Sequence, residues 1–246
     1  KINPNYSDAY NNMGNVLKKM GDLDAALDNY KKSLKISPNN ASAHNNMGSI
    51  MKDKGDLEAA LDCFRHAVLL KPDFVEGHNN LGVILKEIGR FEAAEASYNQ
   101  AITLNPDYAE AHSNIGTLLQ ELGNYVASEA SYRRALLLKP DFAKARYNLG
   151  VLLHEVGQHE KAAEQFMISD FKNSKHYLLR CLYLQNKQTL FYDQLDWLIQ
   201  QGDVHPMLGS LGCRSTLKYG LERPNLFCKD PLSYVLKTNL SHQYDF

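Results

Sequence analysis

The 246-residue sequence has a single tryptophan, four cysteines and no long apolar run. Each shortage excludes something. Without 18 consecutive apolar residues, no transmembrane helix is expected, and the opening KINPNY lacks the apolar stretch of a secretory signal. Cys63, Cys181, Cys213 and Cys228 form no C-x-x-C pair and no zinc spacing, so free thiols in a reducing, cytoplasmic setting are expected. Cys63 reads as a small residue on the outer side of its helix. Charge of one sign is also missing. The net charge is −1, which provides no field to draw nucleic acid or an anionic membrane. Basic pairs such as Lys18-Lys19 and Arg133-Arg134 are flanked by acids and read as solvated faces.

Catalytic motifs are missing as well. There is no G-x-G-x-x-G, no G-x-x-x-x-G-K-[ST], no G-x-S-x-G and no H-E-x-x-H. The pairs His154-Glu155 and His159-Glu160 have no second histidine at helical spacing. No catalytic residue, cofactor or metal site is expected.

What the sequence does have is a period. Prolines 4, 38, 72, 106 and 140 recur every 34 residues, and so do Gly14, Gly48, Gly82, Gly116, Gly150 and Gly21, Gly55, Gly89, Gly123, Gly157. Repeats of this length mark solenoids. The units run 7–40, 41–74, 75–108, 109–142 and, more weakly, 143–176. Residues 1–6 read as the end of a preceding unit, so the start is expected to be a cut. Each unit reads as two helices. In the third, Leu81, Ile84, Leu85 and Ile88 share one face of a helix over 75–88. Gly89 suits a left-handed C-terminal cap. Phe91, Ala94, Tyr98, Ala101 and Ile102 share a face of a second helix over 91–104, which Asn105-Pro106 ends. Gly82 and Ala94 are expected to face each other across the hairpin.

Leu81-Gly82, Ala94, Tyr98, Ala101 and Pro106, at their positions in a unit, resemble the tetratricopeptide repeat. The resemblance covers about 170 residues, five coincident periods strong. It implies an all-α fold, a right-handed superhelical solenoid of antiparallel helix pairs, with first helices lining a concave groove. One departure is systematic. Tyr10, His44, His78, His112 and Arg146 stand where the family has tryptophan, and packing is the expected role of the histidines. Equivalent helices lie on the order of 10 Å apart, against metal–nitrogen bonds of about 2 Å, so these histidines cannot share an ion.

The fifth unit has Ser174 in place of proline. Beyond it, 176–185, 189–202 (with Phe191, Leu195, Leu198 and Ile199 on one stripe) and 206–219 read as helices covering the end of the array. Residues 177–246 thus form a capping segment with an irregular tail from Arg223, and the end at Phe246 is also expected to be a cut.

The family groove positions predict a binding site. The sixth position of each unit is Asn12, Asn46, Asn80, Asn114 and Asn148. The fifth is Asn11, Asn45 and Asn79, then Ser113 and Tyr147; the ninth of the first unit is Asn15; the twelfth brings Lys18, Lys52 and Lys86. A carboxamide offers donors and an acceptor that match a peptide unit. The expected function is a non-catalytic protein-interaction scaffold holding an extended peptide or partner protein, with self-association through an exposed repeat edge as a further possibility. A carboxylate clamp is not expected, because it needs lysine at the fifth position and arginine at the sixth. The units are similar to those preceding O-linked N-acetylglucosamine transferase domains. RPNLFCKDPLSYVLKTNL is similar to segments joining such repeats to iron/2-oxoglutarate oxygenase-like domains in some bacterial proteins. Both imply an alternative, a substrate-recognition arm of a larger enzyme.

Overall fold

The computed structural model describes residues 5–171, 173–203 and 205–220. Among them are thirteen helices and no strand, so the chain is all-α. Packing divides it into two compact units between Asp141 and Phe142.

In the first unit, α1 (Asn5–Lys19) pairs with α2 (Leu23–Ile36), α3 (Ala41–Asp53) with α4 (Leu57–Leu70), α5 (Val75–Glu87) with α6 (Phe91–Leu104), and α7 (Ala109–Glu121) with α8 (Tyr125–Leu138). Local chemistry sets these boundaries. Asp22, Asn40, Asp56 and Asn124 each accept a hydrogen bond from the backbone N–H three residues on, satisfying a donor that the helix start leaves open. Each first helix ends before a glycine in the left-handed region; Gly89, at φ +77°, turns α5 into α6. The helices expected over 75–88 and 91–104 form as α5 and α6.

The apolar stripes meet between the helices. Leu81, Ile84 and Leu85 of α5 and Ala94 and Tyr98 of α6 join Leu61 and Phe64 of α4 and Leu118 of α7 in one buried cluster. No hairpin could bury its stripe alone, so the cluster runs through neighbouring repeats. Gly82 does not have Ala94 as its nearest neighbour across the hairpin. A Cβ placed there would lie 2.6 Å from Tyr98 Cε1, so the aromatic ring fills the space that glycine leaves. Cys63 is a second correction. It is buried, and its Cβ lies against Gly48 inside the α3–α4 hairpin rather than on the outside.

The second unit holds α9 (Ala143–Glu155), α10 (His159–Ile168), α11 (Ser174–Leu184), α12 (Gln188–Gln200) and α13 (Pro206–Tyr219). Here Phe166 takes the aromatic slot. It is fully buried over Gly150 and stacks on Tyr177 at 5.2 Å. The missing proline has a visible consequence: Ser174 opens α11, its hydroxyl donating to the Phe171 carbonyl, and α10 is only 10 residues long. Helices α11, α12 and α13 lie where the expected capping helices fall. Phe191, Leu195 and Leu198 of α12 are buried and Ile199 is half-buried. Pro206 opens α13, where its missing N–H costs nothing, and Gly220 closes it at φ +68°. The expected irregular tail, 223–246, lies outside the described residues, as does Cys228.

Candidate functional site

Within the first unit, α1, α3, α5 and α7 touch one another in succession, whereas among the described residues successive second helices make no comparable contact. The first helices therefore form the more closely spaced row, and the residues expected to line a groove sit on it.

The amides on this row divide into two classes. Asn11, Asn45 and Asn79, at the fifth position, are 7%, 2% and 5% exposed. They are not part of an open wall but lie between adjacent first helices, where they receive hydrogen bonds. Asn46 Nδ2 donates to Asn11 Oδ1 and to Asn15 Oδ1, both at 2.9 Å. Asn80 Nδ2 donates to Asn45 Oδ1, and Asn114 Nδ2 to Asn79 Oδ1, both at 3.0 Å. Asn46, Asn80 and Asn114 thus each lean on the repeat before them. Asn15 also accepts from the Tyr30 hydroxyl at 2.8 Å, which anchors the ladder in the core.

The direction of the ladder follows from Glu76. Its carboxylate can only accept, so Asn45 turns its amino group there (3.3 Å) and leaves its oxygen for Asn80. What remains open belongs to the sixth position. Asn46, Asn80 and Asn114 are half-buried, and among the described residues nothing donates to their Oδ1 atoms. Asn80 and Asn114 each keep one N–H as well. Asn12 is exposed at one end. Asn148 stands in the second unit, half-buried and engaged in contacts of its own.

The lysines are partly neutralised by acids on the next first helix. Lys86 Nζ lies 2.6 Å from Glu121 Oε1, and Lys18 Nζ lies 3.9 Å from Asp53 and hydrogen-bonds Ser49. Lys52 has no ion pair among the described residues. Glu76, Asp53 and Glu121 were not anticipated as partners of the site. For Asp53 and Glu121 the signal was an acid at the thirteenth position of a unit, next to the lysine column one repeat earlier; Glu76, at a second position, had no such signal.

His44, His78 and His112 turn away from this row. Their Nε2 atoms approach the carbonyl oxygens of Pro38, Pro72 and Pro106 at 3.0, 2.9 and 2.9 Å. A carbonyl can only accept, so each ring donates and ties its helix to the preceding turn. Their role is a polar tie across the loop in addition to filling space. Burial, then the charges of Glu76 and Glu110, push the Tyr108 phenol up to about 12, so it stays a neutral donor beside the row at physiological pH.

The comparisons agree with this architecture. A TPR repeat model matches residues 14–55, 48–89 and 84–123, and a tetratricopeptide repeat model matches 113–167. No curated protein matches the chain. Among solved structures, Pseudomonas aeruginosa PilF is 18% identical with a TM-score of 0.74 over 85% of this chain and 98% of its own. PilW, described as a type IV pilus biogenesis factor, is 21% identical with a TM-score of 0.75 over 83% of this chain and 97% of its own. YrrB, described as a TPR protein with an unusual peptide-binding site, is 26% identical with a TM-score of 0.51, covering 65% and 82%. No described helix is long and apolar enough to cross a membrane. With family models spanning 14–167, the helix pairs at 34-residue spacing and the glycine–aromatic contact repeated in each hairpin, the chain belongs to the tetratricopeptide repeat family.

Proposed function

We propose that the first unit is a protein-interaction scaffold, without catalysis of its own, that holds an extended peptide along α1, α3, α5 and α7 in a cytoplasmic setting. The observation that supports this reading is the set of unsatisfied amide groups on Asn46, Asn80 and Asn114, each pre-positioned by a hydrogen bond to the repeat before it. Groups held in place lose little freedom when a ligand arrives, so more of each contact appears as affinity. Carboxamides spaced one per repeat grip a backbone without reading side chains. Lys52 adds a preference for an acidic residue, while paired Lys18 and Lys86 add little. YrrB's description as a peptide binder is in keeping with this assignment.

The test is a peptide-array screen followed by titration of a captured peptide. At about 0.5–1.5 kcal/mol per hydrogen bond, replacing both Asn80 and Asn114 by alanine should weaken binding roughly ten- to a hundredfold with helicity unchanged. Unchanged affinity in a folded double variant refutes the groove.

A second, smaller reading has its own observation. Tyr6, Met13 and Val16 on α1 and Met20 just after its end stand exposed on one side, at 60%, 52%, 52% and 75%. We infer that this side supports self-association. Light scattering should show mass rising with concentration, and Met13→Glu with Met20→Glu should abolish the rise. A wild-type chain that stays monomeric throughout excludes it.

A further inference from the structure

We propose that His154, His159 and Cys181, in the second unit, form a zinc-binding site. One imidazole nitrogen from each histidine and the Cys181 Sγ lie within 4.8 Å of one another. The three come from different helices: His154 from the last turn of α9, His159 from the first residue of α10, and Cys181 from α11. Gly157, at φ +79°, folds the chain back between the histidines and brings their rings to a centroid separation of 5.0 Å. Gln185 donates to the His159 carbonyl at 2.8 Å and so fixes α11 against the start of α10.

The distances suit the metal. Zinc bonds of about 2.3 Å to sulfur and 2.0–2.1 Å to nitrogen, at tetrahedral angles, separate the two ligand atoms by about 3.5 Å. Cys181 Sγ and His154 Nδ1 are 3.5 Å apart. That pair alone could be a thiol–imidazole hydrogen bond. The third member is what a hydrogen bond leaves unexplained. His159 Nδ1 is buried with no hydrogen-bond partner among the described residues, a costly arrangement for that atom unless something uses it.

A nucleophilic cysteine is the competing use of such a cluster, and the electrostatics oppose it. Burial pushes the Cys181 thiol up to about 12, against a small opposing pull from Arg180. Burial, then Arg180 and His159, hold His154 down at about 4. A neutral imidazole cannot stabilise a thiolate as an ion-pair partner would. A divalent cation supplies the missing charge itself. As the zinc–sulfur bond forms, the thiol proton leaves to solvent, and both imidazoles bind through neutral nitrogen. Arg180 is a nearby positive charge that opposes the metal. Entry is from the His159 side, where a depression of about 580 Å³ is lined by Gly157, Gln158, Glu160, Lys161 and Gln185. Three protein ligands leave a fourth position for water or a ligand from outside. The metal would join α9, α10 and α11 at one point.

The test uses the full chain, reduced and stripped with chelator, titrated with zinc against a chromophoric competitor and with cobalt(II) as spectroscopic probe. One equivalent should bind, cobalt should give a thiolate charge-transfer band in the near ultraviolet, and zinc should raise the melting temperature. Cys181→Ser should lose the band. His159→Gln, at a half-exposed helix start and therefore expected to fold, should weaken zinc binding more than about tenfold. Cys63→Ser should bind as the parent chain does. No band in the parent chain, or undiminished binding in His159→Gln, overturns the site.

Discussion

Tyr98→Ala is expected to destabilise the first unit by about 3–5 kcal/mol. The side chain is completely buried and belongs to the cluster shared by α4, α5, α6 and α7. Its ring lies against Gly82, which has no side chain to move into the vacancy. The cavity therefore stays open, and the cost combines lost burial with lost contacts. Tyr98→Phe should behave in the opposite way. The hydroxyl is buried with no hydrogen-bond partner among the described residues, and burial, then the charges of Glu121 and Glu87, raise its pKa. Removing it discards a desolvated polar atom, so stability should hold or rise slightly. Denaturant unfolding followed by circular dichroism distinguishes the two. A loss under about 1 kcal/mol for the alanine variant would contradict the packing described.

Gly82→Val is expected to cost about 1–3 kcal/mol, even though valine suits a helix slightly better than glycine. A Cβ there would lie 2.6, 2.7 and 3.0 Å from three atoms of the Tyr98 ring, and a fully buried ring has nowhere to go. The two substitutions must therefore be coupled. In the Tyr98→Ala background the valine side chain enters the space the ring has left, and its penalty should shrink by about 0.5–3 kcal/mol. Additive effects in that double-mutant cycle would mean that the glycine does not exist for the ring. Gly48 offers a milder comparison, because its nearest neighbours are Cys63 and Phe64 at 3.0 Å. Gly48→Ala should be tolerated better than Gly82→Ala, and melting temperatures of the two variants measure the difference.

Much of the fold was legible before any coordinates. Helix α6 matches its expected range, α5 differs only at Ile88, and the helices of the second unit fall close to their apolar stripes. The reason is that helix ends depend on local chemistry: an Asp or Asn cap, a glycine at positive φ, a proline that cannot continue the helix. The candidate site was legible only in outline. Asn45 and Asn46 are adjacent in sequence and identical in chemistry, yet one is buried between helices and the other keeps an open amide. That difference depends on how α3 sits against α1 and α5, which no propensity encodes.

The same division holds across the molecule. By itself the sequence determined the repeat length, the helix pairs, the buried stripes and the family, because all four rest on residue spacing along one helix or one turn. Only the tertiary structure decided that Tyr98 rather than Ala94 fills the space at Gly82, that the histidines bind proline carbonyls, and that Cys63 faces inward. It also decided that His154 and His159 meet Cys181, more than twenty residues further along the chain. Those outcomes depend on side chains from different helices competing for one volume or one hydrogen bond. Such competition is settled by packing in three dimensions and leaves no period in the sequence.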